Sequence, residues 1–265
     1  MLQKGGEVNL LVFGGLGLGG REGLSCALLD EARRADKIFA ETYTNSEGES
    51  AVSYVESIAA KKAVLLKRRD LEEEGGKIIL EAARVGEVLF LVPGDPFVFT
   101  THSYLRKEAL EAGIGVRVIH GLSIYSVAVS ASGLDPYRFG PPVTLVYPDE
   151  EHGYFPEAAY DVVHENLSRD LHTLLLMDVK AEEGQIMNFE EAFNVMTELE
   201  RRRMMGVFAA GRGIVLLSAL GSSKEKVLWA HIGDKLADEL PPPRSLVVPA
   251  SLRFYEGFES ARQKQ

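Results

Sequence analysis

The chain has 265 residues, enough for one large domain or two modest ones. Its net charge of -10 argues against non-specific binding to nucleic acid or to anionic membranes. No apolar run approaches membrane-spanning length, and a single cysteine, Cys26, excludes an internal disulfide framework and fits a reducing compartment.

The apolar run over 8–15 predicts a strand buried on both faces; it is too short for the core of a signal peptide. A glycine-rich loop follows over 15–20, and Leu24, Leu28, Ala32 and Ala35 then recur at helical spacing. Residues 37–40 predict a strand, 41–49 a loop, 50–60 a helix with Val52, Val55 and Ala59 on one side, and 63–66 a strand. The charged stretch 67–74 reads as a solvated loop with some helix, and 77–85 as a helix with Ile78, Ile79, Ala82 and Ala83 facing inward. The strand over 88–92 ends in Pro93, Gly94, Asp95 and Pro96, and a helix runs from His102 or Ser103 to 112. A strand over 116–119 and a helix over 123–132 complete the first half. This alternation predicts a mostly parallel sheet covered on both faces.

A Pro/Gly-rich link over 133–142 marks the expected domain boundary, dividing the chain into 1–136 and 137–265. The second half has a different rhythm. Strands are expected over 143–147, 172–177, 214–220, 227–230 and 245–248, and helices over 157–168, 233–240 and 252–265. Asn188 and Glu191 stand at capping-box spacing ahead of a long helix to about Arg203. More of these strands are close in sequence, so a mixed sheet is expected.

Two motifs bear on function. Gly15, Gly17 and Gly20 match the spacing of a dinucleotide-binding loop, with Glu41 about where a ribose-binding acid would sit. Gly20, Arg21, Glu22 and Gly23 all precede the first periodic leucine, Leu24, so the third glycine does not open the helix as that motif requires. The plain alternative is a flexible first loop that lets a ligand or partner approach. The second motif is the turn after 88–92. Two prolines fix the backbone on either side of Asp95, and Gly94 permits close approach or positive φ. A parallel strand ending this way presents a carboxylate at the edge where open α/β sheets bind ligands; the plain alternative is an Asp that caps its own turn. The six histidines show no helical pair and no cysteine partner, so no metal site is expected. His102 and His120 lie near strand ends, where contact with substrate, capping or a buried hydrogen bond are the options. Cys26 reads as a small core residue of the first helix. The runs 67–69 and 201–203 are basic but flanked by acids, and read as solvated faces.

Taken together, several stretches resemble the tetrapyrrole (cobalamin/sirohaem) methylase superfamily, and within it the diphthine synthases. They are GLGL at 15–18, ARRADKIFAETYT at 32–44, PGDPFVFTTH at 93–102 and VIHGLSIYS at 118–126. In the second half they are LHTLLLMDVKAEEG at 171–184, GS at 221–222 and PPRSLVVPA at 242–250. The resemblance implies two α/β domains, the first with a mostly parallel sheet and the second with a mixed one, and a ligand cleft between them. It implies a cytoplasmic homodimer that uses S-adenosylmethionine and releases S-adenosylhomocysteine. By similarity, Leu18, Asp95, Val98, Ser123, Ile124, Met177, Leu220 and Arg244 would contact the donor; no catalytic residue is implied.

The substrate implied is translation elongation factor 2. Its modified histidine would be methylated, three times, on the amino group of a 3-amino-3-carboxypropyl moiety, with no nucleic acid or membrane involved. The chain departs from the family pattern at Arg244, where histidine is usual. It also reads Gly19, Gly20, Arg21, Glu22 and Gly23 where an acidic and basic run is usual, and Ser218, Ala219, Leu220 before Gly221 where alanine and arginine are usual. Two further enzyme readings compete: a corrin or sirohaem precursor C-methylase, and a nicotinamide-dependent oxidoreductase built on the first glycine loop. A non-enzymatic adaptor that keeps the fold is the third.

Overall fold

The computed structural model describes residues 9–41, 48–149, 151–180, 184–236 and 240–257. The chain divides into two compact units, Met1–Ile124 and Tyr125–Gln265. This division falls earlier in the chain than the Pro/Gly-rich link at 133–142.

In the first unit the strands are β1 (Leu10–Gly15), β2 (Lys37–Glu41), β3 (Ala63–Leu66), β4 (Glu87–Val92) and β5 (Gly115–Ile119). They form one five-stranded sheet in the order β3-β2-β4-β1-β5, parallel throughout. The helices are α1 (Cys26–Arg34), α2 (Gly48–Ala59), α3 (Arg68–Glu72), α4 (Lys77–Ala83) and α5 (Ser103–Glu111). Strand side chains alternate between two faces. Val12, Ile38, Ala40, Leu89 and Leu91 pack with Leu28 and Ala32 of α1 and with Val52 and Val55 of α2. Leu11, Phe13, Phe39, Val88, Phe90 and Val92 pack on the other face with Ile79 and Ala83 of α4 and with Leu105 and Ala109 of α5. Both faces of the sheet are therefore core, which is why β1 and β4 read as unbroken apolar runs. Ser25 starts α1 by accepting from the Leu28 amide at 3.2 Å.

The next helix, α6 (Ile124–Ala131), crosses the division. The second unit holds β6 (Val143–Leu145), α7 (Glu157–Ser168), β7 (Thr173–Met177), the short pair β8 (Val179–Lys180) and β9 (Gln185–Ile186), α8 (Phe189–Arg203), β10 (Gly213–Ser218), β11 (Lys226–His231) and β12 (Arg244–Val248). Its main sheet runs β11-β10-β12-β7-β6, antiparallel except for β6 beside β7, so it is mixed as expected. Tyr160 and Val163 of α7 and Phe193, Met196 and Leu199 of α8 pack on Leu175, Leu216 and Leu246 of this sheet. The capping box at the start of α8 forms as its spacing predicts: Asn188 Oδ1 accepts from the Glu191 amide at 2.9 Å, and Glu191 Oε2 accepts from the Asn188 amide at 2.7 Å.

Four expectations differ. Ile78 is exposed, because the inward face of α4 is carried by Ile79 and Ala83. Cys26 is exposed at the first position of α1, two residues before Leu28 and so turned away from the stripe of Leu28 and Ala32. No helix forms over the described residues of 233–240 or from 252 to 257. In the latter stretch the chain turns so that Glu256 is buried against the start of β7: its Oε1 lies 2.8 Å from His172 Nε2. A helix there would give up these side-chain bonds. The rest of both stretches lies outside the described residues, as does most of the loop expected over 41–49.

Candidate functional site

The parallel sheet delivers three loops to its carboxyl edge, after β1, β4 and β5. They meet through glycines. The Gly17 amide donates to Gly94 O at 3.1 Å and the Gly94 amide returns to Gly17 O at 3.0 Å, while the Leu16 amide donates to Val92 O at 2.8 Å. Gly17 and Gly94 both have φ of 69°. A Cβ on Gly15 would stand 2.6 Å from Gly94 O and would strike the Gly121 amide; one on Gly17 would stand 2.5 Å from Gly23 O. These glycines bring chain segments of the protein together, and α1 opens only at Cys26, well past Gly20. Glu41, the acid that the dinucleotide pattern would set on a ribose, is 2% exposed and lies 3.1 Å from His102 Nε2. The spacing of the glycine motif thus has a structural cause that needs no dinucleotide.

Asp95 stands on this edge as the sequence predicts, with only 6% of its surface exposed. It caps its own turn, since Oδ1 accepts from the Phe97 amide at 3.0 Å. It also does more: Oδ2 lies 2.7 Å from His120 Nδ1, and the His120 side chain is 74% exposed. The turn is held tightly behind Asp95. Thr100 Oγ1 donates to Pro96 O at 2.6 Å, and the Phe97 ring packs on Phe13 at 5.0 Å. Val98 is half-buried on the same turn, Leu18 and Ser123 are buried, and Ile124 opens α6. Leu18, Asp95, Val98, Ser123 and Ile124 therefore lie on the loops at one edge of one sheet. The pairing of Asp95 with His120 joins residues 25 positions apart. The sequence marks each as lying near a strand end but carries no signal that they touch.

The second unit gathers its own set. Arg244 pairs with Ser218 and Ser245 with Leu176. Met177, Arg244 and the turn through Ala219 and Leu220 consequently share one end of the mixed sheet. Arg244 Nε donates to Leu240 O at 2.6 Å, and the Ala219 amide donates to Pro243 O at 2.8 Å, which fixes the proline-rich entry to β12. Tyr147, just past β6, lies at this end as well, because Leu145 pairs with Met177. Its hydroxyl donates to Glu191 Oε2 at 3.0 Å. Burial, reinforced by that carboxylate, pushes the phenol well above its ordinary range. Among the described residues no group of three or more His, Cys, Asp or Glu is placed to hold a metal, and no helix is long and apolar enough to cross a membrane.

Residues 11–235 match the family model of the Tetrapyrrole (Corrin/Porphyrin) Methylases. The chain belongs to that family, in the branch of the diphthine synthases. It is 40% identical over 250 residues to the diphthine synthase of Staphylothermus marinus, covering 91% of this chain and 88% of that protein. It is 37% identical over 250 residues to the diphthine synthase of Methanocaldococcus jannaschii, covering 93% and 96%. A crystal structure of diphthine synthase superposes with a TM-score of 0.83 at 32% identity, covering 96% of this chain and 95% of that one. The chain is thus a methyltransferase with two α/β sheets, one parallel and one mixed. That assignment overrides the oxidoreductase and adaptor readings.

Proposed function

We propose that the protein transfers methyl groups from S-adenosylmethionine to the amino group of the 3-amino-3-carboxypropyl histidine of translation elongation factor 2, three times, as a step of diphthamide biosynthesis. The observation that carries this reading is the near full-length similarity to proteins named diphthine synthase, joined to a loop edge whose chemistry suits the donor. We assign the donor contacts to Leu18, Asp95, Val98, Ser123 and Ile124 of the first unit and to Met177, Leu220 and Arg244 of the second. Leu18, Val98, Ile124, Met177 and Leu220 offer apolar surface, and the Asp95 carboxylate suits a cationic ligand or a ribose. The resemblance further supports a cytoplasmic homodimer.

When bound, the donor supplies a methyl group on a positively charged sulfur, an excellent leaving group. The protein's task is alignment and exclusion of water more than activation. The glycine contacts among the three loops and the hydrogen-bonded Asp95 turn give the edge the stiffness that alignment needs. The acceptor amine must lose its extra proton before it attacks, and a partly desolvated site favours the neutral form. A quaternary nitrogen has no lone pair left, which makes three methyl groups a natural end point.

The test is mass spectrometry of elongation factor 2 carrying the aminocarboxypropyl histidine, after incubation with the protein and S-adenosylmethionine. The expected result is a gain of three methyl groups on that peptide. Donor binding without any gain, together with methylation of a corrin or sirohaem precursor, would replace this reading by C-methylation. Absence of donor binding would overturn it altogether.

A further inference from the structure

Methylation of an amine leaves a proton to be removed, and the carboxyl edge of the first sheet carries one group built to take it. Several acid–imidazole pairs occur among the described residues. His102–Glu41 and His172–Glu256 are sealed, with both partners at most 3% exposed. His152–Asp149 and His231–Asp234 are exposed pairs three residues apart in sequence. His120–Asp95 alone joins a ring that is 74% exposed to a carboxylate that is 7% exposed. The carboxylate is fixed from behind by the Phe97 amide at 3.0 Å. A carboxylate only accepts hydrogen bonds, so the 2.7 Å contact places the ring proton on Nδ1 and leaves the lone pair on Nε2. An imidazole held by an acid through one nitrogen, with the rest of the ring exposed at the carboxyl edge of a parallel sheet, is the arrangement of an oriented general base.

We propose that His120 is a catalytic residue of the methyl transfer: its Nε2 takes the proton from the acceptor amine, while Asp95 holds the ring and stabilises the imidazolium that forms. The inference rests on the methyltransferase reading and adds a residue role to it. The steps balance. The amine arrives as an ammonium and gives one N–H proton to Nε2, the electrons of that bond becoming the nitrogen lone pair. The lone pair forms the bond to the methyl carbon, and the carbon–sulfur electrons leave with sulfur as a neutral thioether. The positive charge lost from sulfur appears on nitrogen. The imidazolium returns its proton to solvent, which its exposure allows, and the next round begins with removal of the next N–H proton. After the third transfer the nitrogen has no proton to give.

Two consequences separate this role from a structural one. An exposed ring can be replaced from solution, so small imidazoles restore turnover to a variant that lacks it. Donor affinity is a separate readout, because the ring is assigned to the acceptor. In His120→Ala, with full-length protein and aminocarboxypropyl elongation factor 2, kcat falls by about 10²-fold or more. S-adenosylmethionine affinity by calorimetry stays within about 2-fold, and added 4-methylimidazole raises the rate in proportion to its concentration. His120→Gln, which keeps a donor near Asp95 but has no base, behaves like His120→Ala. Wild-type turnover in either variant, or a loss that imidazole does not restore, overturns the inference while leaving the proposed function standing. A wild-type protein that methylates no amine overturns the proposed function itself.

Discussion

Asp95 with His120 and Glu256 with His172 are the same two chemical groups at nearly the same separation, 2.7 and 2.8 Å. What differs is the employment of their remaining atoms. In the second unit His172 Nδ1 accepts from the Ala250 amide at 3.0 Å, so Nε2 carries the proton and donates to Glu256 Oε1. Glu256 Oε1 also accepts from the Asp135 amide, and Oε2 accepts from Arg138 Nη1 at 2.8 Å and from the Arg253 amide at 2.6 Å. Arg138 in turn donates to the backbone oxygens of Ser251 and Asp170. Both ring nitrogens and both carboxylate oxygens are thus bonded within the protein, and the cluster ties 135–138, the start of β7 and 250–256 into one piece. In the first unit the ring is 74% exposed, and among the described residues Asp95 is bonded to its Nδ1 and none to its Nε2. Saturation and burial, more than the identity of the pair, separate a clamp from a reactive group.

The largest effect expected is at the saturated pair. Glu256→Ala takes from buried Arg138 one of its two carboxylate partners, the other being Asp170, and strips His172 of its acceptor. Breaking a buried ion pair from one side costs about 3–5 kcal/mol, read as a shift in the urea unfolding of the second unit. A loss below about 1 kcal/mol would show that the cluster is not a clamp. The same region should be acid-sensitive. Burial holds the His172 imidazole below its ordinary range, against the pull of Glu256. Burial also opposes ionisation of Glu256, but the Arg253 and Asp135 amides and the His172 ring outweigh it and hold the carboxyl below its ordinary value. For both groups the unfolded chain binds more protons than the folded one as pH falls, so stability decreases with falling pH. The His172 contribution is fully present above about pH 6.5 and is lost as pH drops below that towards its depressed folded value. Thermal midpoints at pH 7 and pH 5 should therefore differ less in His172→Gln than in the wild type.

On the ligand side, Asp95→Ala removes the acceptor of two hydrogen bonds and the negative charge of the edge. Donor affinity should fall by about 10- to 100-fold, the worth of a charge-assisted hydrogen bond. Unchanged affinity by calorimetry would confine Asp95 to its turn and to His120. Gly15→Ala tests the glycine contacts. Its Cβ would be forced to 2.6 Å from Gly94 O, and overpacking of this kind costs about 1–3 kcal/mol. If the glycines served a dinucleotide instead, stability would be unchanged.

The two regions were also unequally legible. The edge of the first sheet could be read because its signals are local: an apolar run, a Gly-Asp-Pro turn and a helix follow one another, and each constrains the next. The capping box at Asn188 and Glu191 is local in the same way. The clamp was not legible. It joins Arg138 to Glu256 across 118 positions, and the composition after 252 suits a helix well enough until the buried partners of Glu256 are known. His120 lies between. Its place after a strand is visible in the sequence, but its contact with Asp95 follows from β1 lying between β4 and β5, an order that hydrophobic periodicity does not encode.

The smallest stability change is expected at His120, and it sharpens the comparison most. Removing the ring in His120→Ala exposes no core, because the side chain is already in solvent. Asp95 Oδ1 keeps the Phe97 amide, and Oδ2 gains access to water where the ring stood. The net cost is that of one hydrogen bond exchanged for hydration, about 1 kcal/mol or less. His172→Ala removes a ring of the same size that also pairs with a carboxylate, but from a site where water has no ready entry and where the Ala250 amide and Glu256 both lose this bond. Its cost should exceed that of His120→Ala by several-fold in the same denaturation experiment. Equal losses in the two variants would mean that saturation does not distinguish the two pairs. A small loss at His120 together with a large loss of turnover would separate a group kept for chemistry from one kept for the fold.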